Sequence, residues 1–255
     1  MMAYRIVLIA CALLFSCCSI IAQENYSRLK TRAERFVKFQ EWGSANAMYM
    51  LMINKQPNEP KNYSRAIVTS GLLSDDKTQV RLLEMTQGKG IPLDSIFTEV
   101  YSFAYEIGQS QEYEEFLKLV KTCQPWVARN INIRLLNYYN FRNDAPNIVL
   151  MGKELLAATP DDLRFLLAVG RGYMIQGDYE NAIVEYKKVL SLDEDNYDAL
   201  LALGNYYYVM WKDAEGTRSQ FTSTRDFAVN YFEQAYALNP TPFVASVLDE
   251  LRAEN

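Results

Sequence analysis

The chain has 255 residues, 49% of them apolar and 22% charged, with 31 acidic against 26 basic side chains and no histidine. That composition excludes the disordered and collagen-like classes, and the missing histidine excludes Ser-His-Asp and Cys-His catalysis, histidine-bound zinc and an imidazole pH switch. A formal net charge of −5 argues against nucleic acid as a partner, since such binders need a basic face to displace counterions.

Residues 1–22 differ from all that follow. Arg5 precedes the apolar run Ile6 to Phe15, then Ser16-Cys17-Cys18-Ser19-Ile20-Ile21-Ala22, then polar Gln23-Glu24-Asn25. The run is short for a membrane span, which needs roughly 20 apolar residues, and reads as a secretory signal peptide cleaved after Ala22. Two alternatives rank below it: a lipoprotein signal, because Leu14-Phe15-Ser16-Cys17 resembles a lipobox, and a retained anchor. Three of the four cysteines lie here, so cleavage leaves Cys123 alone, expected as a small buried hydrophobe.

Beyond the leader the chain compares with itself. Leu166, Val169, Gly170 and Tyr173 recur 34 residues later as Leu200, Leu203, Gly204 and Tyr207. Ala182, Tyr186 and Val189 recur as Ala228, Phe232 and Ala235 after 46 residues, so the last unit carries a 12-residue insertion, about 211–222. Within each unit, large apolar residues fall three and four apart in two segments joined by a turn such as Gln176-Gly177-Asp178, which predicts paired amphipathic helices. Gly170 and Ala182 are expected where two helix backbones approach closely, with Tyr173 and Tyr186 filling the space beside them.

Leu166-x2-Val169-Gly170-x2-Tyr173, Gly177-Asp178-Tyr179 and Ala182-x3-Tyr186, closed in the next unit by Pro240, resemble the tetratricopeptide repeat. Leu135, Leu136, Tyr139 and Pro160 continue the register upstream, with Ile148 and Gly152 at odds with the pattern. Trp42, Ala45-x3-Tyr49, Met52 and Pro57 restore it near the mature start, and Tyr63 to Thr86 and Ile96 to Cys123 supply weaker units. The resemblance implies an all-α, right-handed superhelical solenoid of about six helix-turn-helix repeats: 26–59, 60–94, 95–128, 129–162, 163–196 and 197–240. A capping helix follows in 241–255, where Val244, Val247, Leu248 and Leu251 share a face.

Motifs for chemistry are poor. Asp193 to Asp198 lacks the glycine and terminal glutamate of a calcium loop and reads as an inter-repeat turn. Gln87-Gly88-Lys89-Gly90 lacks phosphate-loop spacing. Asp75-Asp76 and Asp161-Asp162 stand at helix starts, where carboxylates satisfy free amides. No catalytic residue, metal or cofactor is expected.

The family resemblance implies a non-enzymatic scaffold that binds a protein or peptide in a groove, here in the periplasm or cell envelope of a bacterium. An envelope lipoprotein assisting assembly or glycan uptake is the alternative, and an enzyme on a helical-repeat frame ranks last. A membrane enters only through lipid at Cys17 or a retained leader. Asn137, Arg171 and Asn205, at one phase of successive first helices, predict a ladder, with Asn130, Arg134, Arg164 and Asp198 on the same face and Tyr208 at its end. Arginine forks pair with carboxylates and asparagine amides with peptide backbone, so the expected ligand is an acidic or C-terminal segment. Ile133, Leu167 and Leu201 replace the lysines of the family's chaperone-tail clamp, which argues against cytosolic chaperone tails. The insertion reads first as a tolerated loop, since lengthening costs only about 0.6 kcal/mol per doubling, and second as a partner-contacting finger.

N-terminal sequencing of the mature protein from the envelope fraction should give a start near Gln23; a lipid-bearing start at Cys17 would install the lipoprotein reading instead.

Overall fold

The computed structural model describes residues 25–213 and 222–253. The leader at 1–22 and most of the expected insertion lie outside the described residues. Two compact units divide the chain. The first ends at Ile131 and carries α1 (25–38), α2 (Trp42–Lys55), α3 (Pro60–Gly71), α4 (Asp76–Gly88), α5 (Leu93–Glu106), α6 (Gln111–Cys123) and a 3-10 turn at Pro125–Val127. The second begins at Asn132, inside α7 (Ala128–Arg142), and continues with α8 (Ala145–Ala158), α9 (Leu163–Gln176), α10 (Tyr179–Leu192), α11 (Tyr197–Lys212), α12 (Thr222–Leu238) and α13 (Pro242–Ala253). The fold is an all-α helical repeat, with no strand among the described residues.

Local chemistry sets the helix ends. Asp75, Asp144, Asp162, Asp178 and Asn196 each occupy an N-cap and accept a hydrogen bond from a backbone amide two or three residues on, satisfying donors that the first turn leaves open. Asp75 and Asp162 thus take the capping role expected of the paired aspartates, while the 193–198 segment forms the turn from α10 into α11. Gly177 ends α9 with φ 74°, a left-handed conformation in which glycine meets no Cβ penalty. The Asp178 amide donates back to the Tyr173 carbonyl at 3.0 Å, so one dipeptide stops α9 and starts α10.

In the second unit each helix from α8 to α13 packs on the next. Leu166, Val169, Tyr173, Ala182, Tyr186, Val189, Ala199 and Leu203 form one buried cluster. Ala228 and Phe232 of α12 form another with Val244, Val247, Leu248 and Leu251 of α13, so α13 covers the apolar face of α12. The close contact expected of two backbones at Gly170 is different in kind: a Cβ there would lie 3.0 Å from Cε1 and 3.1 Å from Cζ of Tyr186. A ring of the second helix is seated on a bare stretch of the first. Gly204 repeats the arrangement beneath Phe232, with distances of 3.2 and 3.3 Å. At Gly152, where the register would put an aromatic, a Cβ would fall 2.4 Å from Val169 Cγ2, and Leu136 takes the place of the first-helix glycine.

The first unit departs from this pattern. Its α3 packs against α2, α4, α5 and α6 and buries Asn62, Ser64, Thr69 and Ser70 along with Tyr63, Ala66, Ile67 and Val68. Asn46 of α2 donates through Nδ2 to the Ala66 carbonyl at 2.9 Å, Thr69 Oγ1 at 3.0 Å and Ser70 Oγ at 2.9 Å. Gln79 Nε2 donates to the Ile67 carbonyl at 3.0 Å. These bonds offset the cost of burying polar groups. Cys123 is half-buried rather than buried, and its thiol donates to the Val120 carbonyl at 3.6 Å.

The glycine contacts predict an order of tolerance. Gly152→Ala drives a methyl into a buried, β-branched neighbour and should cost about 1 to 3 kcal/mol. Gly204→Ala meets Phe232 ring atoms at 3.2 and 3.3 Å, which asks the ring to give by only a few tenths of an ångström, and the helix-propensity gain of about 1 kcal/mol over glycine should leave it near neutral. Urea denaturation of the two variants checks the order.

Candidate functional site

A cavity in the second unit is lined by Asn140 of α7, Arg164, Leu167, Ala168 and Arg171 of α9, Tyr186 of α10 and Asp198 of α11. Its floor is the tyrosine ring that Gly170 admits. Burial pushes the Tyr186 hydroxyl up to about 12, with the nearby Arg171 charge opposing the shift.

The residue after Gly170 is the best-anchored cation of the site. Arg171 Nη1 donates to the Asn140 carbonyl at 3.2 Å and to Asn140 Oδ1 at 2.8 Å, and Nη2 donates to Asn143 Oδ1 at 2.6 Å. Asn140 lies in the last turn of α7, whose carbonyls lack intrahelical donors and whose dipole favours a cation. Arg171 therefore joins the end of α7 to α9 while remaining exposed.

Arg164 is held differently. Its Nε and Nη2 donate to Asp162 Oδ1 and Oδ2 at 3.0 and 2.7 Å, and its guanidinium lies 5.2 Å from the Phe165 ring centre. With 74% of the Arg164 side chain exposed, water screens that pair and leaves the arginine open to exchange for another carboxylate.

Of the residues expected from sequence, the cavity brings together Arg164, Arg171 and Asp198. Asn137 is exposed on α7 and Asn205 half-buried on α11, both outside the lining; Asn130 is exposed in the first turn of α7 and Arg134 is half-buried one turn on. Tyr208 turns to the capping helix: its hydroxyl donates to Glu250 Oε2 at 2.5 Å and accepts from Lys212 Nζ at 3.1 Å. Asn140, Leu167, Ala168 and Tyr186 are the lining residues that the ladder did not include. Tyr186 was legible only as packing, and Asn140 only through its place three residues after Asn137 on the same helix face. Among the described residues no group of three or more aspartates, glutamates or cysteines is placed to hold a metal ion, and no helix is long and apolar enough to cross a membrane.

Residues 170–210, which carry Gly170, Gly177, Ala182, Tyr186 and Gly204, match the family model described as TPR repeat. That stretch carries a tetratricopeptide repeat. Solved structures similar to it include a protein from Bacteroides ovatus, 18% identical over 76% of this chain and 97% of that one, with a TM-score of 0.49. Others are PilF of Pseudomonas aeruginosa, at 14% identity, 92% and 99% coverage and a TM-score of 0.45, and a tetratricopeptide repeat protein from Parabacteroides merdae, at 13%, 90% and 99%, and 0.40. No curated protein matches the sequence. Tetratricopeptide repeats generally mediate protein–protein interaction and are generally non-catalytic.

Tyr186 also generates an alkaline signature for the second unit. Its folded pKa lies above the ordinary value of 10, so its contribution is fully present below about pH 10 and is lost as pH rises through about 12. Denaturation at about pH 9 and about pH 11.5 should show a loss of stability that is smaller in Tyr186→Phe, by up to about 2 kcal/mol.

Proposed function

We propose that the chain is a non-enzymatic scaffold of the bacterial cell envelope that holds a carboxylate-bearing peptide segment of a partner protein against the α7, α9 and α11 cavity. The observation that carries this reading is the joint presence of Arg164, Arg171 and Asn140 around the apolar patch of Leu167 and Ala168. The apolar pair suits a ligand side chain, the asparagine amide suits a peptide backbone, and the exposed Arg164 guanidinium can trade Asp162 for a ligand carboxylate. Arg134 and Asn137 extend the same line of residues along α7, and Asn205 along α11, as flanking contacts for a longer segment. The envelope setting rests on the leader-like composition of residues 1–22.

The test is selection from a phage-displayed peptide library on the mature protein, followed by binding of the selected peptide to Arg164→Ala combined with Arg171→Gln. Selected sequences should carry a carboxylate, and the double variant, with helical circular dichroism like that of the parent at the assay temperature, should bind about tenfold or more weakly. Equal binding would remove this cavity as the site.

A further inference from the structure

The first unit contains a cavity of about 360 Å³, within the usual range of roughly 300–1,000 Å³ for ligand pockets. It lies among α1, α2, α3 and α5 and is built around a tyrosine and an arginine, Tyr49 and Arg65. Tyr49 stands at the second-helix position that Tyr186 holds in the other unit, in Ala45-x3-Tyr49 and Ala182-x3-Tyr186. Each phenol is buried with one arginine charge beside it, Arg65 or Arg171.

The two sites differ in how far their groups are satisfied. Arg171 is spent on Asn140 and Asn143, and Arg164 on Asp162. Arg65 is half-buried, lies 5.3 Å from the centre of the Phe103 ring, donates a long bond from Nη1 to the Lys61 carbonyl at 3.4 Å and interacts with the Tyr49 hydroxyl. The Tyr49 hydroxyl, in a side chain only 1% exposed, is buried beside the Arg65 guanidinium, and among the described residues no acceptor takes its proton. A buried hydroxyl left in that state costs free energy that a ligand oxygen would recover.

The groups at the inner end, a guanidinium and a phenol O–H, are both donors, so they ask for an acceptor. A planar carboxylate fits a guanidinium already stacked on an aromatic face. The rim carries Lys38 with Glu34 and Glu106, all exposed, so the charged lining is balanced overall and does not favour a bare inorganic anion. The rim glutamates match a cationic side chain next to the carboxylate.

We infer that this cavity is a second binding site, taking the carboxylate of a peptide segment on Arg65 and the Tyr49 hydroxyl, with a neighbouring basic residue of the peptide against Glu34 and Glu106. The inference rests on the reading that the chain binds peptides, and it makes the protein bivalent, with one cavity in each unit.

The experiment is an NMR titration of the mature protein that follows the side-chain Nε–H signals of Arg65 and Arg171 separately. The probes are Ac-Ala-Lys-Leu with a free C-terminus, the same peptide as its C-terminal amide, and Ac-Lys-Glu-Leu-amide. A saturable shift at Arg65 with the first identifies a C-terminal carboxylate as the ligand, and with the third a glutamate side chain; either supports the site, provided that the amide of the first gives none. Affinity should fall about tenfold or more in Arg65→Ala, and by about threefold in Tyr49→Phe and in Arg65→Lys, which keeps the charge but not the fork. Tyr49→Phe removes one buried atom, and a folded spectrum of Arg65→Lys gives the same answer if the phenylalanine variant melts. Shifts at Arg171 alone overturn this site and leave the other standing, shifts at neither overturn both, and an equal response to the amide overturns the carboxylate assignment.

Discussion

The second unit depends on an aromatic ring lying on a stretch of helix that has no side chain. Gly170 under Tyr186 and Gly204 under Phe232 are the same joint made twice, and it fixes both the packing of the hairpin and the floor of the cavity. Because the ring is seated on position 170, the next residue is carried to the cavity wall, and that residue is Arg171. In the following repeat the same geometry delivers Asn205 beside a phenylalanine. Packing is therefore repeated while chemistry is not, since the joint requires only a ring and leaves the hydroxyl and the adjoining side chain free to vary.

Those elements of the fold that depend on local pattern were legible. The 34-residue period, the turn at Gly177, the aspartates at helix starts and the apolar face of α13 all follow from neighbouring residues, so spacing is enough to find them. The site was legible only in part. Arg171 could be assigned to a face, but its partners Asn140 and Asn143 lie across the gap to another helix, where side-chain reach decides the contact. Tyr208 was assigned to the groove, and its engagement with Glu250, 42 residues away, depends on where α13 lands. Tyr49 was legible as the ring of Ala45-x3-Tyr49 but not as a site residue, and Arg65 was not singled out, because beyond α2 the first unit matches the repeat weakly. Its α3 buries a row of polar residues held by Asn46 and Gln79, which masks the apolar spacing by which a repeat is recognised.

Position 152 sets a limit on how such an array can be assembled. In most solenoids one thinks of each unit as interchangeable, able to be duplicated or moved by recombination. Here Val169 of α9 already occupies the space that any side chain on residue 152 would need, and Leu136 stands where the neighbouring units have glycine. A duplicated copy of 163–196 inserted in place of 129–162 would bring a tyrosine ring to a point with no room for a methyl group. These two repeats are therefore not interchangeable, because the space at position 152 is already taken.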